Sequence, residues 1–280
     1  MTATFIVATD MSMRSDRALR RAVRLARDRE ARLVILAVVD DATPLDIAEG
    51  HIEKTRESLE DFVAGISGDL DCDLRVSHGD PTADIIGTAE RERADLLILG
   101  THRPRSFLDA LRETTAQRIT RLTACPVLLV TGTESTSYDE VMLATDFSPA
   151  ASAAAALTRT LLPGARLTPL HALHVPYQGM LAHKAGASEI ETSFRAEAER
   201  EDYGWRAGDP LVGTLPETRI VTGSSPLAVF EAHVAKTGTG LIAIGAHGRV
   251  GQRRAVLGSV VTDLMRAPPC DLLICRPASG

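Results

Sequence analysis

Four small residues late in the chain have the types and spacing for phosphate chemistry. Gly245, Gly248, Gly258 and Ser259 stand in the stretch LIAIGAHGRVGQRRAVLGS, residues 241–259. The stretch opens on the apolar run Leu241–Ile244, which follows the turn signal Gly238-Thr239-Gly240 and reads as a buried parallel strand. It closes where Val260, Val261, Leu264 and Met265 recur at helical spacing, with Ser259 as the candidate N-cap. Glycine lets a backbone come close to a ligand. Free N–H groups at a helix start attract anions. A strand end and a helix start joined by glycines therefore read as a phosphate cradle. The plainer reading is a Gly-rich surface loop capped by a serine.

Several other chemistries are excluded. No Lys-Ser/Thr pair follows the glycines, so this is not a P-loop. No G-x-G-x-x-G follows an early strand, so it is not the dinucleotide fingerprint either. Ser259 lacks the G-x-S-x-G elbow of a nucleophile. His247, and His102 in an equivalent loop, could each be a general base, but a loop-stabilising hydrogen bond is the favoured role. His171 and His174 read as nucleotide contacts or as strand-end packing. Arg249, Arg253 and Arg254 read as phosphate neighbours or as solvated loop charges.

The elements that must hold such a cradle are those of an α/β chain. With 280 residues, two domains are the natural expectation. A 44% apolar and 24% charged composition is that of an ordinary globular chain. Aromatics make up only 4%, which disfavours stacking platforms for nucleic acid. The net charge is −6, and neither half is basic, so nucleic acid and anionic membranes are not expected partners. Cys72, Cys125, Cys270 and Cys275 form no C-x-x-C, so no zinc site is expected, and the thiols suit a reducing cytoplasm. No signal peptide and no membrane span are expected.

Apolar runs and helical periods alternate along the first half. Strands are predicted at Phe5–Thr9, Arg32–Val39, Cys72–Ser77, Asp95–Leu99 and Pro126–Val130. Helices are predicted over Ser15–Asp28, over Glu49–Ile66, after Asp80-Pro81, and through Leu111, Ile119 and Leu122. This alternation is the doubly wound parallel pattern. Ligands in such sheets bind at strand carboxyl ends, near the reversal of strand order. The pattern then restarts beyond the polar linker Gly132–Ser137. Ala8-Thr9-Asp10 recurs as Ala144-Thr145-Asp146, Ala31-Arg32-Leu33 as Ala165-Arg166-Leu167, Gly100-Thr101-His102 as Gly245-Ala246-His247, and Cys125 as Cys270. The offset widens between the second and third strands of the second copy, around Ile190, Phe194 and Ala198. One domain is used twice.

The spacing Gly-two-Gly-nine-Gly-Ser resembles the ATP-binding signature of the universal stress protein family, and the whole chain resembles a tandem member of it. The resemblance implies an α/β fold: two tandem doubly wound domains with five-stranded parallel, Rossmann-like sheets, packed as an intramolecular pseudo-dimer. The domains are placed at residues 1–132 and 138–280. It implies ATP, with Mg²⁺ accompanying the triphosphate, across the carboxyl ends of the first and fourth strands. Gly245, Gly248, Gly258 and Ser259 match triphosphate-binding positions. Asp146 matches the acidic residue near the adenosine, Ala144 a small residue of that pocket, and Ala172 the position whose backbone meets the adenine edge. No catalytic residue and no dedicated metal ligand are assigned.

The first half departs from the signature. Arg103 stands for Gly248, Glu113 for Gly258 and Thr114 for Ser259. A bulky cation and a carboxylate replace two glycines, so this half is expected not to bind ATP in the family's way. The alternative is a different anion site built by Arg103 and Arg105. The expected function is a cytoplasmic stress-response protein with ATP bound in its second domain, acting on an unidentified protein partner, with homo-oligomerisation left open. The rivals are an interaction scaffold that binds no nucleotide, and a slow ATP hydrolase or nucleotidyl-transfer enzyme of related fold.

Overall fold

The computed structural model describes residues 2–42, 45–101, 113–132, 137–175, 187–247 and 256–277. The chain divides into two compact units, Met1–Thr136 and Ser137–Gly280. The first unit runs β1 (Thr4–Thr9), α1 (Met13–Asp28), β2 (Arg32–Asp40), α2 (Leu45–Ser67), β3 (Cys72–Gly79), α3 (Pro81–Arg91), β4 (Leu96–Gly100), α4 (Thr115–Leu122) and β5 (Val127–Val130). Its strands lie in the order β3-β2-β1-β4-β5, and each neighbouring pair is parallel. The second unit runs β6 (Glu140–Ala144), α5 (Pro149–Leu161), β7 (Arg166–Leu173), α6 (Ala187–Gly208), α7 (Pro210–Gly213), β8 (Arg219–Thr222), α8 (Pro226–Thr237), β9 (Leu241–Gly245), α9 (Ser259–Arg266) and β10 (Asp271–Cys275). Its order is β8-β7-β6-β9-β10, again all parallel.

The central strands are buried on both faces, which explains their unbroken apolar runs. Phe5, Ile6 and Val7 of β1 and Leu241, Ile242 and Ala243 of β9 are all 1% exposed or less. Helix starts carry the expected caps: Ser12, Asp80, Ser148 and Ser225 each accept a hydrogen bond from a backbone N–H in the first turn. Two expectations are corrected. Helix α1 begins at Met13, behind the Ser12 cap, and α2 at Leu45, both earlier than the apolar period suggested. Of the three residues expected along the last helix of the first unit, Leu111 lies outside the described residues, Ile119 is 1% exposed in α4, and α4 ends at Leu122, which is 44% exposed. It is the last residue of an eight-residue helix and turns away from the core.

Helix α6 matches α2 in length, and part of the extra length of the second unit is the segment after it that carries α7. Phe194, Ala198 and Trp205 of α6 pack on Phe147, Leu173, Val175 and Ile220. The four cysteines are free. Burial pushes the thiols of Cys125 and Cys270 up to about 12, so both remain protonated and unreactive. No helix among the described residues is long and apolar enough to cross a membrane.

Four alternating charges tie the outer strands of the first unit to α3. Arg32 donates to Glu92 and to Asp73 at 2.6 Å, and Arg75 donates to the same two carboxylates at 2.7 Å. Hydrogen bonds from Arg75 and Arg32 hold Asp73 below its ordinary pKa, and bonds from Arg32 and Arg75 do the same for Glu92. A depressed folded-state pKa contributes stability above the unfolded value, and that stability is lost as pH falls through the folded value. The ring should therefore be fully stabilising above about pH 5 and fail progressively below about pH 4. Chemical denaturation of the full chain across that window checks this. Glu92→Gln should flatten the acid limb relative to wild type.

Candidate functional site

The repeated Thr-Asp-x-Ser segment builds the floor of the site. In the second unit Thr145 Oγ1 accepts from Phe147 N–H at 2.9 Å, Asp146 Oδ1 from Ser148 N–H at 3.2 Å, and Ser148 Oγ from Ala151 N–H at 3.3 Å. The first unit repeats this with Thr9, Asp10 and Ser12, at 3.0, 3.0 and 3.4 Å. These bonds hold a tight elbow between the first strand and the first helix. Its centre is left-handed in both copies: φ is 64° at Phe147 and 57° at Met11. A non-glycine residue there is strained, and the paired side-chain bonds hold it. One carboxylate oxygen of Asp146 is thus occupied in shaping the elbow.

A cavity of about 220 Å³ opens at the carboxyl ends of β6 and β9, where the strand order reverses. Ala144 and Asp146 line it from β6 and the elbow, Ala172 from β7, Gly245 from β9, and Gly258 and Ser259 from the start of α9. The structure thus brings six of the seven sequence-predicted site residues around one space. The seventh, Gly248, lies outside the described residues, as do Arg249, Arg253 and Arg254. Ile244, Phe230 and Val261 give the cavity apolar walls. Ala172 has a particular place. The β6–β7 ladder ends at Ala144 opposite Leu170, with a last bond from Thr145 N–H to the Leu170 carbonyl. Ala172 lies two residues beyond that rung while still pairing with Val221 on its other side.

The start of α9 corrects the expected cap. Gly258, not Ser259, is the N-cap residue, and no side chain caps the helix. The first helical bond runs from Thr262 N–H to the Gly258 carbonyl, which puts Ser259 at the first helical position. A glycine cap has no side-chain oxygen to offer, and among the described residues no side chain accepts from the first N–H groups of α9. This end faces the cavity through Gly258 and Ser259.

The loop that carries the glycines is clamped at its base. Gly258 N–H donates to the Ala246 carbonyl at 2.9 Å, and Ala246 N–H to the Cys275 carbonyl at 2.7 Å. His247 Nδ1 lies 2.9 Å from the Val256 carbonyl, and its Nε2 lies 3.1 Å from Arg276 Nη1. A carbonyl only accepts and a guanidinium only donates, so Nδ1 carries the proton and Nε2 accepts. His247 is a clamp with both nitrogens committed. Burial lowers the Arg276 pKa. His102 lies outside the described residues.

His171, another cavity-lining ring, sits 2.8 Å by Nδ1 from the Thr145 carbonyl and stacks on Phe147 at 4.6 Å. Trp205 meets Phe147 edge-on at 5.8 Å and donates to Ser152 Oγ at 2.9 Å. Sequence reasoning missed Phe147 and Trp205, because neither carries a motif. Among the described residues no cluster of His, Cys, Asp or Glu could hold a metal ion.

The first unit finishes the matching helix differently. Thr114 caps α4, accepting from Gln117 N–H at 3.2 Å, while Gln117 Oε1 accepts from Thr114 N–H at 2.9 Å. This reciprocal box closes the helix end with its own side chains. The Thr-x-x-Gln spacing was visible in the sequence. Glu113 is pinned by Arg121 at 2.7 and 3.0 Å, and the hydrogen bond to Arg121 lowers its pKa. The closed box, more than the bare charge of Glu113, distinguishes this end from its counterpart. Arg103 and Arg105 lie outside the described residues.

Comparison with known proteins returns the same domain twice. The model of the universal stress protein family matches residues 1–131 and again residues 137–276. A search of curated proteins finds no match. A solved universal stress protein from Archaeoglobus fulgidus DSM 4304 is similar at a TM-score of 0.68 and 16% identity, over 98% of each chain. A functionally unknown protein from Pseudomonas aeruginosa PAO1 is similar at a TM-score of 0.65 and 16% identity, over 99% of this chain and 93% of that one. At such identity these likenesses speak for the fold alone.

Gly245 has a packing duty besides lining the cavity. A Cβ there would stand 2.6 Å from Ala150 Cβ and 2.9 Å from its carbonyl carbon. Gly245→Ala should therefore destabilise the protein by about 1–3 kcal/mol without any ligand present. Ala150→Gly in the same chain should restore part of that loss. Urea unfolding of the two variants checks both statements.

Proposed function

The chain belongs to the universal stress protein family in two successive copies, and from that premise we propose that its second unit binds an adenine nucleotide, ATP with its Mg²⁺. The observation that carries this reading is the uncapped start of α9 opening on a cavity at the sheet's switch point. Amides without a side-chain acceptor, at the positive end of a helix dipole, suit a phosphate. Ala144, Ala172, Ile244 and Phe230 leave room between apolar walls for a flat ring. Asp146 offers a carboxylate to ribose or base donors beside its elbow bond. Ala172, past the last β6 rung, offers backbone to the ring's edge. Mg²⁺ would enter on the phosphates, since the described residues supply no cluster for it.

The action is binding-linked. His247 has both nitrogens engaged in the loop clamp, which disqualifies it as a general base. Occupancy at a hundred times Kd stabilises the fold by about 2.7 kcal/mol. It also sets the state of the glycine loop that a partner protein would meet. The first unit, with its boxed helix end, is the structural or regulatory half.

Two measurements test this. Millimolar ATP with Mg²⁺ should raise the melting temperature and change the emission of Trp205, the only tryptophan in the chain, two stacked rings from the cavity. Gly258→Asp should separate binding from folding. Gly258 has φ −61°, a backbone conformation that any L-residue adopts. An aspartate cap would satisfy the helix amides and raise ligand-free stability by a few tenths of a kcal/mol. It would also abolish the ATP-induced shift. A wild-type protein that shows neither shift nor emission change defeats the reading.

A further inference from the structure

Each unit has a groove over its outermost strand, on β3 beside α3 in the first and on β8 beside α8 in the second. The two grooves occupy the same place in the fold. Arg75 pairs with Leu36 across the ladder, and Arg219 with Leu170. A Cβ on the glycine that closes this stretch would meet Asp84 in one copy (Gly79) and Val229 in the other (Gly223). In the first copy the polar side chains of the groove satisfy one another. Arg75 donates to Asp73 and Glu92 at 2.7 Å, Ser77 to Asp84 at 2.7 Å, and Arg91 to Thr88 at 2.8 Å.

The second copy keeps the cations without the pairs. Arg219 stands for Arg75 and Lys236 for Arg91, whereas Thr237 stands for Glu92, and Val221 and Val229 replace the Ser77–Asp84 pair. Glu217 keeps the place of Asp73 but forms no ion pair with Arg219. Among the described residues Arg219 and Lys236 have neither a hydrogen bond nor an ion pair. The residues of the second unit outside the described ones include no aspartate and no glutamate. His233 also lines the groove. Burial, then Arg219 and Lys236, hold its pKa below the ordinary value against Glu140, which is itself paired with Arg166. Two unpaired cations beside an apolar trough of Leu170, Val221, Val229 and Ala232 match an anion with an apolar body. An added peptide strand is disfavoured, because Arg195 already donates to the Ile220 carbonyl of this edge at 3.0 Å and to Thr222 Oγ1 at 3.3 Å. The groove, about 420 Å³, is of a size for a small molecule. We propose that the groove between β8 and α8 binds a small amphiphilic carboxylate, its head on Arg219 and Lys236 and its tail over Val221 and Val229. This assignment is independent of the nucleotide reading, since no residue of the groove lines the cavity at β6 and β9.

Isothermal titration of the full chain with decanoate tests it, with decanol as the uncharged probe and acetate as the tail-less one, all below micelle-forming concentrations. Decanoate should bind at one equivalent, at least tenfold more tightly than decanol or acetate. Octanoate should bind more weakly, by up to about fourfold for each methylene removed. Arg219→Gln and Lys236→Gln, both at exposed positions, should each weaken decanoate about tenfold. Thr237→Glu gives Arg219 the carboxylate that Arg75 has in the first copy and should weaken decanoate by a similar factor. Circular dichroism of the three variants reports whether they fold. Three results overturn the proposal: no decanoate bound to the wild type, decanol bound as tightly as decanoate, or decanoate binding that none of the three variants changes. Failure of ATP to bind would sink only the nucleotide reading of the second unit and would leave these outcomes as they stand.

Discussion

The close approach of each unit's first helix to the end of its fourth strand is the constraint on which the rest of the structure depends. At Gly245 there is no room for a Cβ against Ala150, and at Gly100 a Cβ would stand 3.1 Å from the Arg14 carbonyl oxygen. The helix can come this near only because the Thr-Asp-x-Ser elbow turns the chain within four residues, through a left-handed centre. Elbow and glycine together bring the helix start to the crevice between the first and fourth strands, where each unit has its cavity. The sheet supplies the crevice, and this contact decides its depth.

Comparing the two copies shows which glycine packing requires. The glycine that packing requires is present in both units, as Gly100 and Gly245. The positions of Gly248 and Gly258 carry Arg103 and Glu113 in the first copy. The helix that follows keeps its buried face in both, with Ile119 and Leu264 at equivalent depth. Only its first turn differs, boxed in one unit and bare in the other. A duplicated domain can thus alter the cap residues of one helix without disturbing the sheet.

Much of the fold was legible in the sequence because burial on both faces writes a strand as an uninterrupted apolar run. The repeat was legible because Ala-Thr-Asp and Gly-x-His recur at the same strand ends. The small residues around the cavity were legible through the family's spacing. What could not be read was geometry that depends on hydrogen-bond bookkeeping over one residue. Ser259 looked like the cap, yet the ladder begins from the Gly258 carbonyl and makes Ser259 the first helical residue. Asp146 was legible as a carboxylate at a strand end, but not as an elbow acceptor, because a left-handed Phe147 has no sequence mark. Trp205 reaches Ser152 across 53 positions of chain, a contact that no local pattern announces.

The boxed start of α4 and the bare start of α9 also bear on how long each half survives in a cell. A helix end closed by its own side chains opens and recloses with a free energy set by the polypeptide alone. An end without a side-chain cap is completed by whatever the surrounding solution supplies, water or anion. Proteases sample such local openings in proportion to their population. If the second unit binds the nucleotide proposed for it, the lifetime of that half rises with the nucleotide's concentration.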